Sequence, residues 1–495
     1  MSRQTFAAVV RRRLASERGR IDKQAPFTVA LGVPSTYRVG MSSLGALALR
    51  RRIQQEPGMA CERFFLPDDA GRGRLDEPVL TYESLRTPSS FPVIALSVAY
   101  ELELGGVVQL LQAGGVPARR TERSAHHPFV LAGGSLTWSN PLPLAPFADA
   151  IVMGEADELL IPVLRLLREA SSRAAAYDQL ASLPSVLVPG RGGESLPPLA
   201  RAPLTSLPAR SELRSPEAEL SNMVLVEAAR GCPRTCRYCV MRRAEGGGMR
   251  IVPADRVLQA IPEDAERVGL VGAAVSDHPQ IAAILRQLVD RGCEVGLSSL
   301  RPERLDEELV AALAAAGYRT LTTAMDGSSQ RLRDGLDRRI TADHLRKAAR
   351  LARAHGMARL KLYLMVGVPG ETEEDLDEAA LLIRELTAMV PISLALSPFC
   401  AKPNTPLGGE PFAGVAVIDR RLRRFRRALR GRAEVRATSV RWAYLEHLLA
   451  QGDERHGEAV ERAVGAGGSF RSYLAELEPL GTGRRATGRG ASRVV

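Results

Sequence analysis

The run ARGCPRTCRYCVMRR, residues 229–243, places Cys232, Cys236 and Cys239 within eight residues, in the spacing C-x3-C-x2-C. The chain of 495 residues holds 6 cysteines, so half of them share one arginine-rich loop. Three thiolates this close make a soft ligand set. Zinc asks for four ligands in a closed tetrahedron, and here Cys400, Cys293 or His278 would have to complete it. A redox CxxC at Cys236–Cys239 leaves Cys232 without a role. A cubane iron–sulfur cluster takes one thiolate per iron. Three thiolates then leave one iron open to bind a small molecule. Cys61, Cys293 and Cys400 lie apart among apolar neighbours and read as reduced thiols. Six cysteines in so long a chain do not make a disulfide scaffold.

A loop of this kind needs a rigid frame. The length predicts two or three domains. Short apolar runs at 27–34, 91–100, 128–134 and 148–155 alternate with helical patterns at 44–53, 105–116 and 157–170. Buried strands alternating with helices predict a doubly wound α/β domain over 20–188. The stretch 189–220 is rich in Pro, Gly and Ser and reads as a linker. A second alternation fills 221–412. Its strands are expected at 223–229, 268–275, 294–300, 319–326, 359–367 and 392–399. Six such units predict a partial TIM-type β/α barrel, with the cysteine loop after its first strand. Strand carboxyl ends form the active face of such barrels. Residues 413–480 read as a helical extension and 481–495 as a flexible tail.

The motif CPRTCRYC, with an aromatic residue before the last cysteine, resembles the signature of radical SAM enzymes. The preceding strand, the basic glycine-rich run after it and the six-unit barrel agree with that family. The resemblance implies that Cys232, Cys236 and Cys239 hold a 4Fe-4S cluster whose open iron chelates S-adenosylmethionine. It implies an enzyme that reductively cleaves this cofactor to a 5′-deoxyadenosyl radical. Tyr238 would then flank the adenine. VGVPGETEEDL (366–376) resembles the fifth-strand segment, which puts Gly367, Val368 and Pro369 at the adenine. AMDGSSQRLRDGL (324–336) resembles the fourth-strand segment, with Asp326 facing ribose or substrate where relatives tend to have Glu. Ser298 and Arg301 close the third strand, and Arg301 would pair with the methionine carboxylate. The second strand end, VGAAVSDHP, carries no double-glycine–acid motif.

FVLAGGSLTWSNPLPLAPFADAIVMGEADELL (129–160) is similar to the end of the cobalamin-binding domain that precedes many radical SAM barrels. Its AGG and GEADE turns fall where such domains approach their ligand, and PSTYRVGMSSLGALAL (34–49) fits the first crossing. The motif D-x-H-x-x-G is absent, and the domain's histidines are His126 and His127. Either cobalamin binds without a protein histidine ligand, or the domain has lost it and serves as a scaffold or substrate platform, a vestigial B12 domain beside an RNA-modifying barrel. SPFCAKPNTPL (397–407) and RWAYLEHLLAQGDE (441–454) resemble segments of an uncharacterised branch of the family.

The net charge of +11 and pI near 9.7 rest almost wholly on arginine spread along the chain. RRLRRFRRALRGR (420–432) could line phosphates, so an RNA substrate stands beside a small-molecule one. With cobalamin the expected reaction is C-methylation; on RNA it is methylthiolation or methylation. A non-catalytic iron–sulfur or zinc protein is the remaining reading. No run of apolar residues is long enough to span a membrane. The expected setting is a reducing cytoplasm, with a flavodoxin or ferredoxin as electron donor.

Overall fold

The computed structural model describes residues 3–191, 195–241, 248–298 and 300–483. The glycine-rich run after the cysteines (242–247) and most of the expected tail (484–495) lie outside the described residues.

The first sheet consists of β1 (Phe27–Thr36), β2 (Met59–Leu66), β3 (Val93–Ser97), β4 (Phe129–Gly133), β5 (Ala150–Val152) and β6 (Val186–Leu187). Its order is β2-β1-β3-β4-β5-β6, parallel except for β6. The order reverses between β1 and β3, the switch point at which open α/β sheets bind ligands. β2 and β6 escape the sequence reading. β6 has two residues, and β2 carries Glu62–Arg63 in mid-strand, which breaks its apolar run. Arg63 is nevertheless 2% exposed. Its guanidinium lies 2.8 and 2.9 Å from the two oxygens of Glu17 and 2.7 Å from Glu83, so the charge is buried as a pair.

One face of this sheet is covered by the helices Leu44–Gln55 and Leu160–Glu169, through Ile53, Val163 and Leu164. The other is covered by Leu104–Ala113 and by helices from the far end of the chain, Val440–Ala450, Glu454–Gly465 and Phe470–Leu477. Leu448, Val460, Val464 and Leu477 join Leu104, Val107 and Leu111 in one core. Each such side chain contributes roughly 1.5–3 kcal/mol on burial.

The second sheet system runs from β7 (Arg210–Ser211), inside the stretch read as a linker, to β16 (Glu434–Ala437), inside the stretch read as helical. Between them lie β8 (Val224–Glu227), β9 (Ala229–Arg230), β10 (Arg250–Ile251), β11 (Arg267–Val271), β12 (Glu294–Leu297), β13 (Thr320–Asp326), β14 (Arg359–Val366) and β15 (Ile392–Pro398). β12-β11-β8-β7 and β13-β14-β15-β16 are joined by a parallel bridge between Leu300 and Thr323. All six expected barrel strands therefore form one arc of parallel neighbours. Its first strand is edged by the antiparallel β7. β14 shows how the arc is built: Leu360, Leu362, Leu364 and Val366 are buried against the helices, while Lys361, Tyr363 and Met365 face the open inner side. Within the stretch read as a helical extension, one helix ends at Ala450 and Asp453 caps a fresh start at Glu454.

The carboxyl edges of the two systems meet. Lys402, after β15, donates to Glu101, after β3, at 2.7 Å, and Asn404 donates to the carbonyl of Ser139, after β4, at 3.0 Å.

Candidate active site

The cysteine loop leaves β9 at Gly231, whose φ of +86° suits glycine alone. A Cβ there would stand 2.7 Å from the carbonyl oxygen of Gly248. β9 and β10 pair antiparallel, Arg230 opposite Arg250, and so draw the two ends of the cysteine segment together. The far side of the loop is pinned to the barrel rim. Arg237 N donates to Leu336 O at 3.0 Å, Leu407 N donates to Arg237 O at 3.2 Å, and Thr235 donates to Asp337.

Cys236 is buried, and Cys232 and Cys239 are half-buried. Burial pushes the Cys236 thiol up to about 11; Arg338 opposes the shift, while Cys239 and Cys232 add to it. Burial raises the other two thiols as well. Such thiols ionise when a cation takes the proton's place, the coupling expected of metal ligands. Among the described residues no three His, Cys, Asp or Glu side chains close on one ion. A cubane makes no such demand, since its thiolates bind different irons. The donor set fits a cluster in chemistry and in burial.

Tyr238 points from this loop into an apolar patch of Leu332, Leu336, Val368, Phe399 and Leu407. Its hydroxyl donates to Asp326 at 2.8 Å. Asp326 ends β13 with φ +61°, a left-handed conformation that Asp tolerates better than most residues. The buried Arg338 donates to the same Asp326 oxygen. Burial, and then the Asp326 charge, drive the Tyr238 phenol well above its ordinary range.

Arg301 is 4% exposed and lies between two carboxylates, 2.6 Å from Asp277 and 2.6 Å from Glu303. Glu303 also accepts from Arg234 of the cysteine loop at 3.2 Å. Ser298 is exposed and donates to Gly272 O at 2.9 Å. Gly367, with φ +84°, turns the chain after β14, and its N–H donates to the buried Glu371 at 2.7 Å. Ser328 and Arg421 bind the same carboxylate at 2.9 and 3.1 Å. Val368 is buried and Pro369 half-buried.

The structure thus brings Tyr238, Asp326 and Val368 together beside the cysteines, and ties Arg301 to the loop through Glu303. Ser298 shares the rim without touching them through any hydrogen bond described. Arg338, Glu303 and Glu371 are missing from the sequence reading, since each is recognised only by partners that the fold brings in.

At the first sheet's edge, the AGG and GEADE turns approach the chain itself. A Cβ on Gly134 would lie 2.4 Å from Val98 O, and one on Gly154 2.6 Å from Ala200 O. Ser97, Gly133, Gly134 and Ala156 rim an apolar cavity of about 40 Å³. His126 and His127 precede β4 and so sit at the opposite edge.

Residues 45–189 match the family described as radical SAM proteins, N-terminal, and residues 226–383 match the radical SAM superfamily. Uncharacterized protein MJ0966 of Methanocaldococcus jannaschii is 24% identical over 390 residues, 78% of this chain and 80% of its own. A tRNA-2-methylthio-N(6)-dimethylallyladenosine synthase of Cereibacter sphaeroides is 27% identical over 230 residues, 44% of this chain and 51% of that one. Among solved structures, the cobalamin-dependent S-adenosylmethionine radical enzyme OxsB, with aqua-cobalamin and S-adenosylmethionine bound, matches with a TM-score of 0.50 at 13% identity. That match covers 80% of this chain and 56% of OxsB, and it is a likeness of fold. The chain spans about half the length of these last two relatives. With a three-cysteine loop on a partial barrel and two family matches that together take in more than half its length, this chain belongs to the radical SAM superfamily of iron–sulfur enzymes.

Proposed function

We propose that this chain acts on a small molecule held between the two facing sheet edges, and that cobalamin serves there as the methyl carrier of a C-methylation. The observation that carries the reading is the apposition of the first sheet's carboxyl edge to the barrel rim that bears the cysteines, in a fold like that of OxsB. Cys232, Cys236 and Cys239 would hold the 4Fe-4S cluster. Loaded and reduced, it supplies one electron that splits S-adenosylmethionine into methionine and the 5′-deoxyadenosyl radical.

The remaining roles belong to the chain's own residues. Tyr238, Gly367, Val368 and Pro369 would flank the adenine. Asp326, oriented by Arg338 and Tyr238, would accept from the ribose. Each Arg301 nitrogen makes one bond to Asp277 or Glu303. The second hydrogens of its terminal nitrogens are left for the methionine carboxylate, and Ser298 stands at the mouth. Cobalamin would rest on the rim of Ser97, Gly133, Gly134 and Ala156, without a histidine. The apolar lining suits the edge of a ring, while the volume of about 40 Å³ keeps the bulk of it outside the sheet. A flavodoxin or ferredoxin would deliver the electron, in a reducing cytoplasm that suits six free cysteines.

Anaerobic reconstitution with iron and sulfide, then S-adenosylmethionine and a strong reductant, tests this by the 5′-deoxyadenosine formed with and without cobalamin. Product dependent on Cys236, with cobalamin retained through desalting, supports it. A desalted protein without cobalamin absorbance removes the methyl-transfer part, and product from Cys236→Ala removes the whole.

A second reading, an RNA substrate, is favoured by the tRNA-modifying relative and by the exposed Arg423, Arg426, Arg427 and Arg430. The helix Val415–Ala428 that bears most of them starts at Gly414, near Gly367. It runs to the opposite edge, where Glu434 pairs with Ser393 at the start of β15. Its basic face therefore leads away from the cysteines. Retention of total tRNA that falls steeply with salt would favour RNA.

A further inference from the structure

The GEADE turn of the first sheet reaches across to the cysteine segment and grips both of its ends. Glu155 is 9% exposed, and both its oxygens take Arg250, one of them at 2.8 Å. The 2.8 Å oxygen also accepts from Arg230 at 3.2 Å and from Ala202 N at 2.8 Å. Asp157 accepts from Arg230 at 2.6 Å and from Arg52 at 3.2 Å. Glu227, at the end of β8, completes the set with a fork on Arg230 at 2.6 and 2.7 Å.

Three carboxylates thus face three guanidiniums: Glu155, Asp157 and Glu227 against Arg52, Arg230 and Arg250. The group is neutral as a whole and largely withdrawn from water. Bidentate arginine–carboxylate forks are the geometry in which such pairs fix orientation as well as position. The place of the two arginines gives the network its meaning. Arg230 is the last residue of β9 and stands two positions before Cys232. Arg250 is the first residue of β10 and its direct partner across the hairpin. Burial works against the Glu155 charge, yet Arg250, Ala202 N and Arg230 hold its carboxyl below the usual range.

We propose that Glu155 and Asp157 are positioning residues for the cysteine loop, through which the first sheet sets the spacing of the loop's two ends and hence the pose of the cluster the loop holds. The effect on cluster pose rests on the cluster reading above; the effect on the loop does not. In this chain Glu155 and Asp157 of that turn are committed to bracing the neighbouring barrel, while Ala156 between them stays on the cavity rim.

The test uses the full chain as wild type, Glu155→Gln, Asp157→Asn and Arg250→Lys. Amide exchange by mass spectrometry in the metal-free protein reads the loop. Electron paramagnetic resonance and the midpoint potential of the reduced cluster, with and without S-adenosylmethionine, read the pose. The expected result for Glu155→Gln is exchange across 231–241 faster by about tenfold, the equivalent of one lost charge-assisted hydrogen bond. Protection of β3 and β4 should stay unchanged, and the resonance line shape or potential should shift. Arg250→Lys keeps the charge and loses the fork, so it should fall between. Unchanged exchange across 231–241 together with an unchanged spectrum would overturn the proposal. If Glu155→Gln does not fold, Asp157→Asn, which leaves Arg250 fully paired, carries the same comparison. A wild type that takes up no iron would remove the cluster reading, and the exchange data would still decide the brace.

Discussion

At the carboxyl edge of the first sheet, the turns at Gly134 and Gly154 close on Val98 and Ala200 of the same chain, and the apolar cavity beside them is about 40 Å³. At the carboxyl edge of the barrel, Gly231 opens a long loop instead. Three thiols, a phenol and an aspartate with positive φ gather under it. Both edges belong to parallel sheets flanked by helices, and both offer the strand ends where such folds place ligands. Shared topology therefore does not give the two edges the same turns. The barrel edge spends its turns on chemistry-bearing side chains, and the first edge spends Glu155 and Asp157 on holding that chemistry in place.

The sharpest way to break the contrast is Cys236→Ala. It should abolish bound iron and bring 5′-deoxyadenosine to background while leaving the first sheet's exchange protection intact. Activity surviving the substitution would move the chemistry elsewhere. Next in size is Asp326→Asn. Asn accepts the same positive φ, so the backbone is spared. The buried Arg338 loses its carboxylate, a change worth about 3–5 kcal/mol, read as a lower urea midpoint. An unchanged midpoint would show that Arg338 finds another partner.

A seam between the regions supplies a smaller effect. His447 is 3% exposed. Burial, helped by the nearby Lys402, lowers its ring from 6.5 to about 4. The folded chain refuses a proton that the unfolded chain accepts. Its stabilisation is whole above pH 6.5 and is lost as the pH falls towards 4, by up to about 3 kcal/mol. His447→Gln should remove that part of the slope in urea titrations across this window. An identical slope in the variant would assign it to other groups. The smallest effect is expected for Arg426→Gln with Arg430→Gln on the barrel's outer wall: stability within about 0.5 kcal/mol of wild type and unchanged 5′-deoxyadenosine formation. A marked loss of product formation would return the basic helix to the active site.

What could be read from the sequence follows the range of the interactions. The six barrel strands are apolar runs with local boundaries, and the cysteine spacing is a local pattern, so both were legible. β2 was hidden by Arg63, whose charge is cancelled by Glu17 and Glu83 from distant loops. β16 lies at an edge, exposed and half-buried by turns, with no apolar run to betray it. Tyr238 and Asp326 are each singled out from the sequence, but not the bond between them across 88 residues. Glu155 reaches Arg230 over 75 residues and Arg250 over 95, and an ion pair of that span leaves no periodicity to detect.

The helices Val440–Ala450, Glu454–Gly465 and Phe470–Leu477 roof the first sheet rather than the barrel they follow. During synthesis, then, the part that emerges first is finished last. Until these helices leave the ribosome, Leu104, Val107 and Leu111 face water, while the barrel, whose last strand ends at Ala437, already has every strand it needs. An apolar face left open throughout translation of the barrel is the kind of surface that exposes a nascent chain to aggregation and that chaperones cover.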